Sequence, residues 1–301
     1  MVKIIGGWLL LVGLIILGAR LLWCDEESPR PSTAITSSAA LTFDEDVALL
    51  NEARPLCLET FTRFLEAETP VARTQSVISP VTTAARMVRF YDLNPWIQLD
   101  PKNLSIVGNE VIHQPGAPPA IVIHWNSHDG KKIDVLFRKD DDEWRLDWDH
   151  YARYSDYPWS LFLAGSGSPV GEFRLLARER RADARKNDPS ISLMLYAPRF
   201  GHPGETVSQS PEFLVSRTSK DGGLLGEAFN LARSGKQVFG LTLPNLNPEG
   251  MIPVRVKIQR DDADTGRQFK IIEVLACHWY SVDDSGVVPP ADAKSESPPS
   301  P

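Results

Sequence analysis

From Ile4 to Trp23 the chain reads IIGGWLLLVGLIILGARLLW, twenty residues with one charge, Arg20. At 1.5 Å per residue a helix of this length spans about 30 Å, the thickness of a bilayer's hydrocarbon core. Trp8 and Trp23 suit the two membrane interfaces, and Arg20 can snorkel to nearby head-groups. Lys3 flanks one end while Asp25, Glu26 and Glu27 crowd the other, so the positive-inside rule puts the N-terminus in the cytoplasm; Arg20 and Arg30 dilute that bias. A cleaved signal peptide would carry a small-x-small site after its apolar core, where Leu21, Leu22 and Trp23 stand. A lipid on Cys24 would call for a small preceding residue, and Trp23 is the opposite. Residues 4–23 therefore read as an uncleaved transmembrane anchor. The expected protein is single-pass in the cell membrane, with its bulk extracytoplasmic.

Beyond Trp23 the chain divides by composition. Residues 25–42 are rich in Ser, Thr, Ala and Pro and read as a flexible linker; residues 283–301, rich in Pro and Ser, read as a disordered tail. Between them lie two packable segments, 43–160 and 168–282. In the first, Val47, Leu50, Arg54/Cys57, Phe61, Phe64 and Leu65 step at helical spacing, and Pro55 is expected to bend or split that helix. Ser79-Pro80 opens a second helix with Ala84, Met87, Val88 and Tyr91 on its buried face. The texture then turns to period two. Ile121, Ile123 and Trp125 precede a turn at His128–Gly130; Ile133, Val135 and Phe137 precede another at Asp140–Glu143; Trp144, Leu146 and Trp148 come after it. Helices followed by an antiparallel meander make an α+β fold.

The second segment reads as mostly β. Strands are expected at 190–197, 213–217, 238–243, 252–259 and 269–280, with one helix from Leu224 to Arg233 closed by Ser234-Gly235. The sequence Gly165-Ser166-Gly167-Ser168-Pro169 has neither nucleophile-elbow nor phosphate-loop spacing and reads as the connection between the segments.

The order of Ser79–Asp92 (SPVTTAARMVRFYD) and the strands ending in Asp142–Tyr151 (DEWRLDWDHY) resembles the nuclear transport factor 2-like superfamily, over residues 44 to about 160. The resemblance implies helices packed into the concavity of a curved antiparallel sheet, a cone-shaped domain. Some members use the cavity for catalysis, others for binding or assembly. Enzymes of the superfamily such as ketosteroid isomerase and scytalone dehydratase place an Asp with Tyr or His partners inside it. Tyr91, Asp134, Asp147 and Asp149 are the loose counterparts. On a strand Asp147 and Asp149 share the face opposite Leu146 and Trp148, directed to solvent or to the other segment, and a solvated pair is expected. Arg145 is expected to be their solvent-facing neighbour.

Other patterns fail on chemistry. His124 and His128 would stand about 13 Å apart along a strand, too far to share a zinc ion. Asp140-Asp141-Asp142-Glu143 lacks calcium-loop spacing and reads as an acidic turn. Arg174, Arg178, Arg181 and Arg185 would line one face of a helix, but Phe173, Leu175 and Ala177 fit a strand equally, and a solvated surface is expected. Three cysteines, at 24, 57 and 277, make neither a disulfide framework nor a metal knuckle; Cys57 and Cys277 read as buried apolar residues, with a bridge between them allowed. Residues 44–160 carry 12 Lys+Arg against 19 Asp+Glu, and residues 161–282 carry 16 against 13, which argues against nucleic acid. No cofactor or metal is expected, and no catalytic residue is assigned. The expected function is a membrane-anchored extracytoplasmic binding or assembly module without catalytic activity, taking an envelope protein or a small apolar ligand. A cavity enzyme and an anchored small-ligand sensor are the alternatives.

Overall fold

Period-two and period-3.6 stretches form strands and helices largely where the apolar spacing puts them. The computed structural model describes residues 36–114, 117–180, 189–235, 247–263, 266–282 and 286. The anchor at 4–23, the strand expected at 238–243, Cys24, Arg181, Arg185 and all of the tail but Gly286 lie outside the described residues. Among the described residues no helix is long and apolar enough to cross a membrane. Internal contacts make Met1–Glu45 one unit and Asp46–Pro301 another.

The chain is α+β with antiparallel sheets. Helix α1 (Thr36–Glu66) is followed by α2 (Pro70–Arg73) and α3 (Pro80–Leu93). The start at Thr36 corrects the linker boundary: Ala39, Ala40 and Leu41 are strong helix formers and carry the helix into the Ser/Thr/Ala-rich stretch. Pro55 sits inside α1 without splitting it. Asn51, whose carbonyl Pro55 leaves without its helical donor, is exposed and water can serve it. Ala53, Cys57, Phe61, Phe64 and Leu65 form the buried stripe, while Arg54 and Val47 face out.

Four strands come next as a meander: β1 (Leu104–Gln114), β2 (Ala117–Ser127), β3 (Lys132–Asp140) and β4 (Glu143–Leu146). Strand β1 has no clean period in the sequence because register shifts at Ile106/Gly108 and Ile112/Gln114 break its alternation. The β3–β4 turn is acidic as expected. Asp141 and Asp142 both have positive φ, 51° and 64°, the mirror-image turn that short hairpins favour and Asp tolerates. One sheet face packs against the helices: Ile121, Ile123, Trp125, Ile133, Val135, Phe137, Trp144 and Leu146 meet Phe61, Phe64 and Met87.

Strand β4 ends at Leu146, where Asp147 caps the short helix α4 (Trp148–Tyr151) by accepting a hydrogen bond from the His150 N–H at 3.0 Å. Trp148 is therefore helical, not the third residue of a strand face. It is nonetheless 1% exposed and packs edge-on against Phe90, ring centroids 5.5 Å apart.

After α5 (Trp159–Leu163) a six-stranded sheet is built from β5 (Val170–Glu179), β6 (Ser190–Arg199), β7 (His202–Gln209), β8 (Phe213–Ser216), β9 (Met251–Ala263) and β10 (Gly266–Ala276). Strand β7 (HPGETVSQ) gives no strand signal in the sequence because it is an edge strand with almost no apolar residue. Helix α6 (Lys220–Arg233) covers one face, burying Leu224, Leu225, Ala228 and Phe229 against β5, β6 and β9. Beyond β10, Trp279 packs with Leu176 and Met251 on the other face of this sheet. Tyr280 and Val282 pack with Ile112, Ala120, Val122 and Leu136 on the helix-free face of the first sheet. The segment His278–Val282 thus lies between the two sheets.

Truncating Trp148 to Ala should cost about 3–5 kcal/mol, from lost burial and the cavity left behind. Denaturant melts of the chain should show that loss, with Val88→Ala, at an exposed position of α3, near wild type. Equal stability of the two variants would refute this packing.

Candidate functional site

The densest set of charged side chains lies where the two sheets meet. Its centre is Asp147, 2% exposed. Beyond capping α4, its carboxylate accepts from the Ser281 N–H at 2.7 Å and the Ser281 hydroxyl at 2.9 Å. Asp149, 9% exposed, pairs with Arg86 of α3 at 2.6 Å and lies 3.8 Å from Arg174. The expectation of a solvated aspartate pair is overturned. The physical reason is the helical turn after Leu146, which ends the two-residue alternation and turns both carboxylates toward protein. Arg145 is likewise only partly exposed, paired with Glu143 at 3.2 Å.

Arg174 corrects a second expectation. It lies on β5, not on a helix, and at 3% exposure it is no part of a solvated surface. Its guanidinium donates to the carbonyls of Trp279 and Tyr154, both at 2.9 Å, and to the Ser281 hydroxyl at 2.9 Å. Phe173, Leu175 and Ala177 face the core under α6, so Arg174 and Leu176 face the first sheet. Arg178, farther along the strand, donates to the Glu249 carbonyl at 3.4 Å.

Beside these, His150 Nε2 lies 2.8 Å from Asp134 Oδ2, and Arg153 bonds the other Asp134 oxygen. Arg153 Nη1 also lies 2.9 Å from His150 Nδ1, and its guanidinium covers the Trp279 ring at 4.5 Å. The His150 ring stacks on Tyr280, centroids 4.6 Å apart. His124 is 3.5 Å from Glu110 on the same face. His128 is elsewhere, at the β2–β3 turn beside Lys102 and Ser105.

Burial and charge set the protonation of this seam. Burial opposes the charged form of Asp134, but Arg153 and His150 outweigh it and hold the carboxyl well below its usual range. Asp147 is lowered in the same way, burial being outweighed by His150, Arg174 and the hydrogen bonds it accepts. Burial raises Asp149 despite Arg174. Burial and then Arg153 lower His150, against the pull of Asp134. Among the described residues the imidazole faces no free nucleophile, since Ser281 is bonded to Asp147 and Arg174. The gap beside Asp134 and Tyr151 is about 20 Å³, the size of a single water.

The structure separates the four residues suggested by the resemblance. Asp134 and Asp147 belong to the seam, with Asp149 beside them. Tyr91 lies among the helices, where its hydroxyl accepts from Arg73 at 3.2 Å. Arg73 has no signal in the sequence: 1% exposed, it stacks on Trp96 at 3.9 Å and Phe64 at 4.9 Å, and also donates to the Ala67 and Ile97 carbonyls. Beside it opens a cleft of about 410 Å³ lined by Leu65, Glu66, Trp96 and Asp100. Cys57 and Cys277 are free, in separate hydrophobic clusters, their thiols pushed up to about 12 by burial. The Gly165–Pro169 connection is tied down by Arg260, which donates to the Ser166 carbonyl at 2.9 Å and the Gly167 carbonyl at 3.2 Å.

Asp147→Ala leaves Arg174 buried with a compensating charge gone and should cost about 3–5 kcal/mol in a urea melt. Because the folded pKa of Asp147 lies below its unfolded value, its contribution is complete above about pH 4 and is lost as pH falls further. The gap between wild type and Asp147→Ala should therefore shrink in acid; a constant gap from pH 7 to pH 2 would refute the buried-ion account.

No protein-family model matches the chain, and neither a curated protein nor a solved structure does.

Proposed function

We propose that this chain is a membrane-tethered, extracytoplasmic binding or assembly module without catalytic activity, its first half a nuclear transport factor 2-like domain. The observation that carries the non-catalytic reading is the packing between the helices and the first sheet. The space between helices and first sheet is filled by the chain's own rings, Phe61, Phe64, Trp125, Phe137, Trp148 and Tyr151. A cavity enzyme needs carboxylates directed into that space. Here Asp134 and Asp147 lie at the seam, engaged with Arg153, His150 and Ser281. The tether rests on residues 4–23, whose length and apolarity match a bilayer core.

The sensor reading has one observation in its favour: the cleft beside Trp96 has the volume of a small-ligand pocket. Its lining carries Glu66, Glu68 and Asp100 against the single cation Arg73, a polar and acidic balance that suits a cationic ligand better than the apolar one expected.

Alkaline carbonate extraction followed by N-terminal peptide mapping tests the tether. The chain should stay with the membrane pellet and yield an intact peptide covering 4–23. A soluble species starting near Ser38–Leu41 would overturn it. Cross-linking in intact membranes tests the module: a discrete adduct with another envelope protein is expected, and an uncross-linked monomer at every reagent length would argue against assembly.

A further inference from the structure

We propose that His278–Val282 is an acid-released strap, latched in the closed position by a neutral His150. The strap is held from both sides. The first sheet supplies Asp147 to Ser281, and the second supplies Arg174 to Trp279 and Ser281. Arg255 donates to the Val282 carbonyl at 2.8 Å, and the Trp279 indole N–H donates to the Leu175 carbonyl at 2.9 Å. Tyr280 and Val282 then cover Ile112, Ala120, Val122 and Leu136. Opening the strap uncovers that apolar sheet face.

The latch rests on the proton count of His150. One ring nitrogen, Nε2, is shared with Asp134 at 2.8 Å. Arg153 Nη1, which can only donate, lies 2.9 Å from Nδ1 and 3.1 Å from Nε2, so the guanidinium rests against the imidazole itself. A neutral ring sits against that guanidinium without charge repulsion. A second ring proton would set imidazolium against guanidinium and push Arg153 off the Trp279 ring that it covers.

The charged and titratable groups around the ring come from every neighbouring element. Strand β3 supplies Asp134, β2 supplies His124 and β1 supplies Glu110. The α4 turn supplies Asp147, Asp149 and Arg153. Strand β5 supplies Arg174, β9 supplies Arg255, and the strap itself supplies His278 and Tyr280. Desolvation and Arg153 lower the His150 pKa, and Asp134 and Asp147 work against them. A pKa lower in the closed state than in the open one means that the open strap takes the proton first. Closure is then complete above the ordinary histidine value and weakens as pH falls beneath it. Asp134 and Asp147, both lowered, add to the loss in stronger acid; Asp149, raised, acts in the opposite sense.

The test is amide hydrogen exchange on the full chain in detergent micelles between pH 8 and pH 5, corrected for the intrinsic pH dependence of exchange. Protection of residues 279–282 should be flat above about pH 6.5 and fall below it, by up to about tenfold per pH unit, while α6 keeps its protection. His150→Gln offers Asp134 a donor and Arg153 an acceptor but cannot take a charge, so it should stay protected throughout. A flat wild-type profile, or a His150→Gln profile with the wild-type slope, overturns the proposal. Should His150→Gln fail to fold, exchange of the imidazole C2 proton in the wild-type protein gives the His150 midpoint directly. A midpoint below about 6.5 supports the latch, and one at or above it overturns it.

Discussion

Arg174 is a full guanidinium placed at the back of a β-sheet, and the second half of the structure is arranged around the cost of keeping it there. A charge taken out of water is tolerable only when its donors are matched by acceptors in good geometry. The carbonyls of Tyr154 and Trp279, the Ser281 hydroxyl and the nearby Asp149 provide them. These acceptors come from the α4 turn, from the residues just after it and from the segment beyond the last strand. Satisfying one side chain therefore fixes where distant stretches of chain meet. Asp147 does the reciprocal work from the first sheet, taking both the amide and the hydroxyl of Ser281.

The same logic explains why so many charged side chains of the seam are engaged with one another. An Asp–His pair at 2.8 Å with an arginine and a serine in the neighbourhood has the ingredients of an acid–base site. Catalysis would need a nucleophile or a substrate beside the imidazole. Here Arg153 rests against both ring nitrogens and Tyr280 stacks on the ring. Arg73 plays a similar part on the helix side, where a cation fills the aromatic surround of Phe64, Tyr91 and Trp96.

Much of the fold is legible in the sequence because apolar spacing is a local property. Phe61 and Phe64, Ile121 and Ile123, Val135 and Phe137, and Leu224 through Phe229 supply buried side chains where their period says they should. Legibility ends where local pattern and tertiary context part. Strand β1 carries bulges, β7 is a polar edge, and Trp148 stays buried after its strand has ended because Asp147 turns the chain into a helix.

By itself the sequence determined helices α1, α3 and α6, strands β2 to β4, the acidic turn and many of the core aromatic residues, since each depends on neighbours within a few residues. It also holds the apolar run at 4–23 on which the proposed tether rests. Only the tertiary structure decided the fate of the polar faces. A strand face bearing Asp134, Asp147 or Arg174 reads as solvated, because water is the default partner of a charge. The second sheet and the segment His278–Val282 displace that water, and Ser281 stands 134 positions from the carboxylate it meets. No local pattern carries such a pairing: Asp147 and Ser281 become partners only when both sheets are in place.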